Sequence, residues 1–321
     1  MAKKKILIVV LGPTASGKTG MAIALAKHFG TEIISADSRQ FYREIPIGTA
    51  APTNEQRKLV PHHFVGNLSL NDDYNVSRFE REVLDLLRKK FQRHDVMVMA
   101  GGSGLYINAV CNGIDDLPDP DPGLRETLRK QWLQQGIGVL QNQLRVLDPE
   151  YFMQVDRQNP KRLMRAIEVC LQTGKKYSEL RLNKPVKRNF NILKIGLDLP
   201  RKELFDRIHR RTDNMFSLGW MEEAKSVLPY RHTNALNTVG YKELFAYFDG
   251  VLSLAEAIEK IKTNTRRYAK RQLTWFNRDP EIHWFSADDQ KKILEFVVSK
   301  VQKTGIAKGH EVQPKDHKRF G

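Results

Sequence analysis

The sequence predicts an α/β protein, a parallel sheet flanked by helices and interrupted by a helical insertion, and three observations carry that prediction. Ile6–Leu11 is a continuously apolar run rich in β-branched residues, it ends in a glycine-rich loop, and residues 20–29 then show helical spacing. Such a run is what a strand buried on both faces looks like, so the opening unit reads strand, loop, helix. Two further apolar runs, 32–35 and 96–100, end in Asp37 and in Gly101-Gly102-Ser103-Gly104, the strand ends where open parallel sheets place ligands. Between them, residues 77–91 set Phe79, Val83, Leu86 and Leu87 on one face and Arg and Lys on the other, which predicts a crossover helix.

The loop after the first strand is Gly12-Pro13-Thr14-Ala15-Ser16-Gly17-Lys18-Thr19, which fills every fixed position of G-x-x-x-x-G-K-[ST]. This makes the fold a P-loop parallel sheet. Glycines let consecutive N–H groups converge on phosphate oxygens, and the helix N-terminus adds partial positive charge. Lys18 is expected to neutralise the distal phosphate and Thr19 to ligate Mg²⁺. A nucleotide hydrolase would also place an acid at the end of a neighbouring strand. Here the run at 96–100 ends in glycine.

Alternating prolines over residues 115–122 deny a strand or a helix and read as a stiff hinge. From there to about residue 183 the pattern is helical. Asn159 caps a helix that starts at Pro160 and stops at Gly174, with Leu163, Ile167 and Cys170 inward and Lys161, Arg162 and Arg165 on another face. Strand character returns over 191–197, followed by long helical stretches at 205–228 and Leu254–Phe276. The expected organisation is a catalytic core of residues 1–115 and 188–300, an insertion of residues 116–187, and a basic, disordered tail over 301–321.

The net charge of +16 is uneven: residues 1–150 hold 19 Lys+Arg against 17 Asp+Glu, residues 151–321 hold 34 against 20. Charge concentrated in this way favours a polyanionic partner, nucleic acid above all. Cys111 and Cys170 match neither a disulfide framework nor a zinc spacing, which fits a reducing cytoplasm. No stretch reaches membrane-spanning length. Gly101-Gly102-Ser103-Gly104 lacks the spacing and the partner histidine of a serine hydrolase. His62-His63 reads as a pair of surface-loop histidines, and Tyr268, Trp275 and Phe276 as packing residues of a basic helix. Asp37-Ser38-Arg39-Gln40 is either a catalytic cluster or a helix cap before Phe41-Tyr42.

Taken together, GPTASGKT (12–19), DSRQFY (37–42), IGTAAP (47–52), GGSGLY (101–106), NPKRLMRAIEV (159–169), VGYKE (239–243) and RRYAKRQLTWF (266–276) resemble the bacterial tRNA dimethylallyltransferases, also called tRNA isopentenyltransferases. The matches run in family order over nearly the whole chain. The resemblance implies transfer of a dimethylallyl group from dimethylallyl diphosphate to N6 of the adenosine beside the anticodon. Asp37 would take the amine proton, while Lys18, Thr19 and Mg²⁺ stabilise the departing diphosphate. It implies diphosphate binding by the loop 12–19 and by Arg211. It carries over tRNA contact to Asp37, Ser38, Arg39, Gln40, Ser103, Arg125, Lys161, Arg162, Leu163, Met164, Arg165, Asn237, Thr238, Val239, Gly240, Tyr241 and Lys242, with the protein working as a monomer. Ser103, Ala51 and Asn277 stand where the family commonly has threonine, lysine and arginine. Two other classes fit part of the sequence: a small-molecule P-loop kinase, and a non-catalytic RNA-binding protein with a regulatory nucleotide pocket.

Overall fold

A computed structural model describes residues 5–182 and 184–305. The chain divides into two compact units, Met1–Cys111 with Arg188–Gly321, and Asn112–Lys187.

The first unit is built on β1 (Ile6–Leu11), α1 (Lys18–Phe29), β2 (Ile33–Ser35), α2 (Asn54–Leu59), β3 (His62–His63), α3 (Val76–Lys90), β4 (Val96–Gly101) and α4 (Gly104–Asn112). Among the described residues the sheet has six strands, ordered β3-β2-β4-β1 and then two strands from later in the chain, with every paired neighbour parallel. β1 sits inside the sheet with all six residues buried. Its side chains alternate, as a strand's period of two requires: Leu7, Val9 and Leu11 enter one core, Ile6, Ile8 and Val10 the other. Each such burial is worth about 1.5–3 kcal/mol, so β1 anchors helices on both faces at once. The crossover helix α3 starts where Asn75 accepts the Arg78 N–H (2.9 Å) and buries Phe79, Val83 and Leu87.

The second unit is helical: α5 (Pro122–Gln135), α6 (Ile137–Leu147), α7 (Pro149–Gln154), α8 (Pro160–Thr173) and α9 (Tyr177–Leu180). Its core is its own, formed by Leu128, Leu140, Leu144, Leu163, Ile167 and neighbours. The proline run stays irregular up to Asp121, which caps α5 with Pro122 as the first helical residue. The unit begins at Asn112, four residues before the expected 116. Asn159 caps α8 and Gly174 ends it in the left-handed conformation, φ 68°.

The chain then returns as β5 (Asn191–Asp198), α10 (Arg201–Ser217), α11 (Trp220–Ser226), α12 (Tyr241–Phe248), α13 (Leu254–Phe276), β6 (Ile282–Ser286) and α14 (Gln290–Lys303), completing the sheet as β1-β5-β6. Three expectations are corrected. The single helix over 205–228 is two, because Gly219 at φ 94° breaks the path between α10 and α11. His62 and His63 are not loop residues; they pair with Ile33 and Ile34 as an edge strand, and His63 Nε2 lies 2.5 Å from Glu32. The expected tail from 301 starts late, since 301–303 finish α14 and bury Val301; the rest of that expectation, from residue 306, lies outside the described residues. No described helix is long and apolar enough to cross a membrane.

Candidate active site

At the C-terminal ends of β1, β2 and β4 the first unit opens into a cleft of about 870 Å³. Among the described residues that line it, Asp37 is the sole acid, set against Lys18, Arg39, Arg43, Arg57 and Arg211. A concavity so unbalanced is built for an anion.

The loop between β1 and α1 makes its floor. Ala15 is held at φ 65°, a left-handed conformation that costs a non-glycine residue energy and that a phosphate-cradling loop requires of its backbone. Lys18, the first residue of α1, folds its Nζ back to the Pro13 carbonyl at 2.6 Å. Burial pushes its pKa down to about 8, with Asp37 pulling upward and Arg211 adding to the drop. Arg211 projects from α10; burial lowers its pKa too, again opposed by Asp37. Two desolvated cations with a single carboxylate between them are expensive until an anion arrives.

Asp37 follows β2. Its Oδ1 accepts the Arg39 N–H at 3.1 Å, so it caps a turn over residues 38–41 rather than a helix. Ser103, past the end of β4, clasps the same segment: its Oγ accepts the Ser38 N–H at 2.9 Å and bonds the Ser38 hydroxyl at 3.1 Å. Gln40 has both ends committed within the unit, its Oε1 to Ser35 Oγ (3.0 Å) and its Nε2 to the Ala50 and Thr49 carbonyls (3.1 and 3.3 Å). It holds the IGTAAP loop over the cleft. Arg39 donates from Nη1 to Asn234 O at 2.7 Å.

The lining also carries apolar side chains, those of Ile47, Met215, Leu218, Trp220, Val239 and Ile261. Cations and apolar side chains in one lining suit an anion that carries an apolar group.

Residues outside the phosphate loop and the Asp37 cluster hold this cleft in shape. Glu223 of α11 accepts the Ile47 and Gly48 N–H groups at 2.7 and 2.8 Å and the Tyr241 hydroxyl at 2.5 Å, fixing the IGTAAP loop. Gln272 of α13 accepts the Thr14 N–H at 2.8 Å and donates to the Gly102 carbonyl at 2.9 Å. One stripe of α13, Ile261, Thr265, Tyr268 and Gln272, lines the cleft at helical spacing. Tyr268 therefore faces the site and Phe276 the core, while Trp275 is 43% exposed against Gly104.

The IPP transferase family model matches residues 40–279. tRNA dimethylallyltransferase 1 of Bacteroides thetaiotaomicron is 50% identical over 91% of this chain and 94% of its own length. The chain belongs to the IPP transferase family. A tRNA dimethylallyltransferase of Christiangramia forsetii is also 50% identical, over 92% of this chain and 98% of its own. Among solved structures, a tRNA isopentenylpyrophosphate transferase from Bacillus halodurans superposes with a TM-score of 0.70 at 34% identity, covering 94% of this chain and 98% of that one. A eukaryotic dimethylallyltransferase acting on tRNA reaches 0.80 at 26% identity, covering 97% and 82%.

The other residues named from the resemblance fall in different settings in this IPP transferase-family chain. In the helical unit Lys161 and Arg162 are exposed on α8, but Leu163 and Met164 are buried in that unit's core and present no side chain to a ligand. That corrects their reading as contact residues. Arg125 makes a two-pronged bond to the fully buried Glu168 (2.6 and 2.7 Å), and Arg165 donates to the Pro118 carbonyl at 2.7 Å. In the sheet unit Thr238 and Val239 line the cleft, and Asn237 and Lys242 are exposed. Gly240 caps α12, its N–H bound to Glu243 at 2.7 Å, and Tyr241 is fully buried on Glu223, so its side chain too is structural.

Proposed function

We propose that this protein transfers the dimethylallyl group of dimethylallyl diphosphate to N6 of the adenosine 3′-adjacent to the anticodon, in tRNAs that read codons beginning with U, giving N6-(dimethylallyl)adenosine. The observation that carries the reading is one cleft in which Asp37 acts electrostatically on both Lys18 and Arg211 while apolar side chains share the lining.

The diphosphate occupies the loop 12–19, its charge met by Lys18, by Arg211 and by the first turn of α1. Its alkyl tail rests against Met215, Leu218 and Trp220. The adenosine leaves the stacked anticodon arm and enters beside Ser38 and Ser103. Its N6 attacks C1 of the allyl group, the C1–O bond breaks toward the diphosphate, and the proton lost by N6 goes to the Asp37 carboxylate. Lys18 and Arg211 stabilise the charge that grows on the leaving group where water is scarce.

Mg²⁺ fits this donor set. No three His, Cys, Asp or Glu side chains group as a metal cage among the described residues, and Mg²⁺ needs none, since it commonly binds through one or two protein groups and substrate phosphates. Thr19, which lines the cleft, is the protein group that would hold it together with the diphosphate oxygens, leaving Asp37 free for the proton. When bound it offsets part of the diphosphate's charge.

The partners under this reading are tRNA and dimethylallyl diphosphate, met in the cytoplasm. The test is incubation with unmodified tRNA, Mg²⁺ and labelled dimethylallyl diphosphate. Wild type is expected to place label in the RNA, and Asp37→Ala to lose about a hundredfold or more of that rate while binding tRNA as before. Absence of transfer by wild type to any tRNA would sink the reading.

A further inference from the structure

A primary amide buried on a helix invites the question of why a polar group stands where an apolar one would pack. Gln272 lies in the last turns of α13, four residues before its end, with about 6% of its surface exposed. Its two ends go to two different loops: Oε1 to the Thr14 N–H in the loop after β1, and Nε2 to the Gly102 carbonyl in the loop after β4. The orientation of the amide is unambiguous, because Thr14 offers a donor and Gly102 an acceptor. Gly102 has no room for a side chain there, since a Cβ would stand 2.3 Å from Nε2.

The two loops carry the two halves of the chemistry. The first cradles the diphosphate. The second leads straight to Ser103, whose N–H bonds Ala36 O (3.2 Å) and whose hydroxyl holds Ser38 (2.9 Å), flanking Asp37 on both sides. Gln272 is the link between them. We infer that Gln272 is a positioning residue that sets the distance between the leaving group and the proton acceptor, by clamping the diphosphate loop to the loop that holds Asp37.

Two features separate this from a merely satisfied core amide. The Thr14 N–H is committed to Gln272, so the amides left for the diphosphate start further along the loop, and its seat is fixed by that choice. The clamp also sits on the stripe that continues to Tyr268, Thr265 and Ile261 along the cleft, so helix, loops and substrate share one frame. Loss of a few tenths of an ångström in such a frame costs rate more than affinity for the distant parts of a substrate.

The inference deepens the transferase reading and rests on it for its kinetic arm. Three proteins are compared with wild type: Gln272→Met, which keeps the volume and drops both bonds; Gly102→Ala, which pushes the amide aside without touching it; and the double variant. Each is assayed for transfer to a tRNA transcript, for Mg²⁺-pyrophosphate affinity by calorimetry, and for melting temperature. For Gln272→Met the expected result is kcat lower by about tenfold or more, KM for tRNA within about twofold, and pyrophosphate affinity weaker by about fivefold. Gly102→Ala should lower kcat similarly, and the double variant should be no slower than the worse single one, because both break one clamp. Unchanged kcat and pyrophosphate affinity in a folded Gln272→Met overturns the inference, as do kcat losses that multiply in the double variant. If Gln272→Met does not fold, Gly102→Ala decides alone: wild-type kcat and pyrophosphate affinity refute the clamp. If wild type transfers nothing, the transferase reading fails, and the pyrophosphate titrations still judge whether Gln272 sets the diphosphate seat.

Discussion

Gly48 shows how much of the cleft depends on the absence of a single atom. A Cβ there would stand 2.2 Å from Trp220 Nε1 and 2.3 Å from the Tyr241 hydroxyl, while the N–H of the same residue is bound by Glu223. The IGTAAP loop is therefore pressed onto an indole of the cleft lining. Gly48→Ala should cost about 1–3 kcal/mol through overpacking and lift the loop, carrying Thr49 O away from Arg211, which it approaches to 3.5 Å. Denaturant titration together with prenyl transfer checks it: a stability loss in that range with KM for dimethylallyl diphosphate raised several-fold is the expected pair. Residues of this sort explain what was legible in the sequence. The loop 12–19 and Asp37 stand out because each motif is contiguous and follows an apolar run. Glu223 did not, because its loop partners lie 176 and 175 positions away; Gln272 sits within RRYAKRQLTWF, but a buried Gln on an amphipathic helix has no local signature of partners 258 and 170 positions away.

At the scale of elements, strands and helices with local start and stop signals were readable, and those defined by pairing were not. α8 has its Asn159 cap and Gly174 stop, and α13 has the reciprocal Ser253 and Glu256 cap. β3 is two histidines long and exists only because β2 is beside it. What fixes that edge is Glu32, which takes Lys90 Nζ at 2.6 Å and His63 Nε2 at 2.5 Å, with His94 at 3.9 Å. Burial works against its charge, but the bonds from Lys90 and His63 outweigh burial and hold its pKa below the usual glutamate value. A depressed carboxylate stabilises the fold above its unfolded pKa and loses that contribution as pH falls through the lower folded one. Glu32→Gln should therefore cost about 1–2 kcal/mol at pH 7, and the gap to wild type should close as pH falls below about 4.5. Urea titrations at pH 7 and at pH 4 and below measure it; a gap that persists in acid would refute the ion-pair account.

For the molecule as a whole, the division into two units has an energetic meaning. Each has its own core, and the chain leaves the sheet unit at Cys111 and re-enters it at Arg188. Domains with separate cores melt with separate sensitivities. Leu163, fully buried in the helical unit, provides the test: Leu163→Ala should destabilise that unit by about 2–5 kcal/mol, while Mg²⁺-pyrophosphate affinity, a property of the sheet unit, stays within about twofold of wild type. Calorimetric melting and pyrophosphate titration of the same sample report both. The proline run made the excursion visible in the sequence, whereas β6, only five residues long, is defined by its pairing with the distant β5.

Trp275 and Trp220 differ more in surroundings than any design would ask of a reporter pair. The first is 43% exposed and leans on Gly104, next to Ser103; the second is about 2% exposed in the cleft lining. With Trp132 and Trp284 replaced by phenylalanine, their emission should accordingly separate into a red, quencher-accessible component and a blue, shielded one. The fold thus holds one indole in the cleft lining and another beside Gly104, outside that lining, so that a ligand reaching either would dim a different colour.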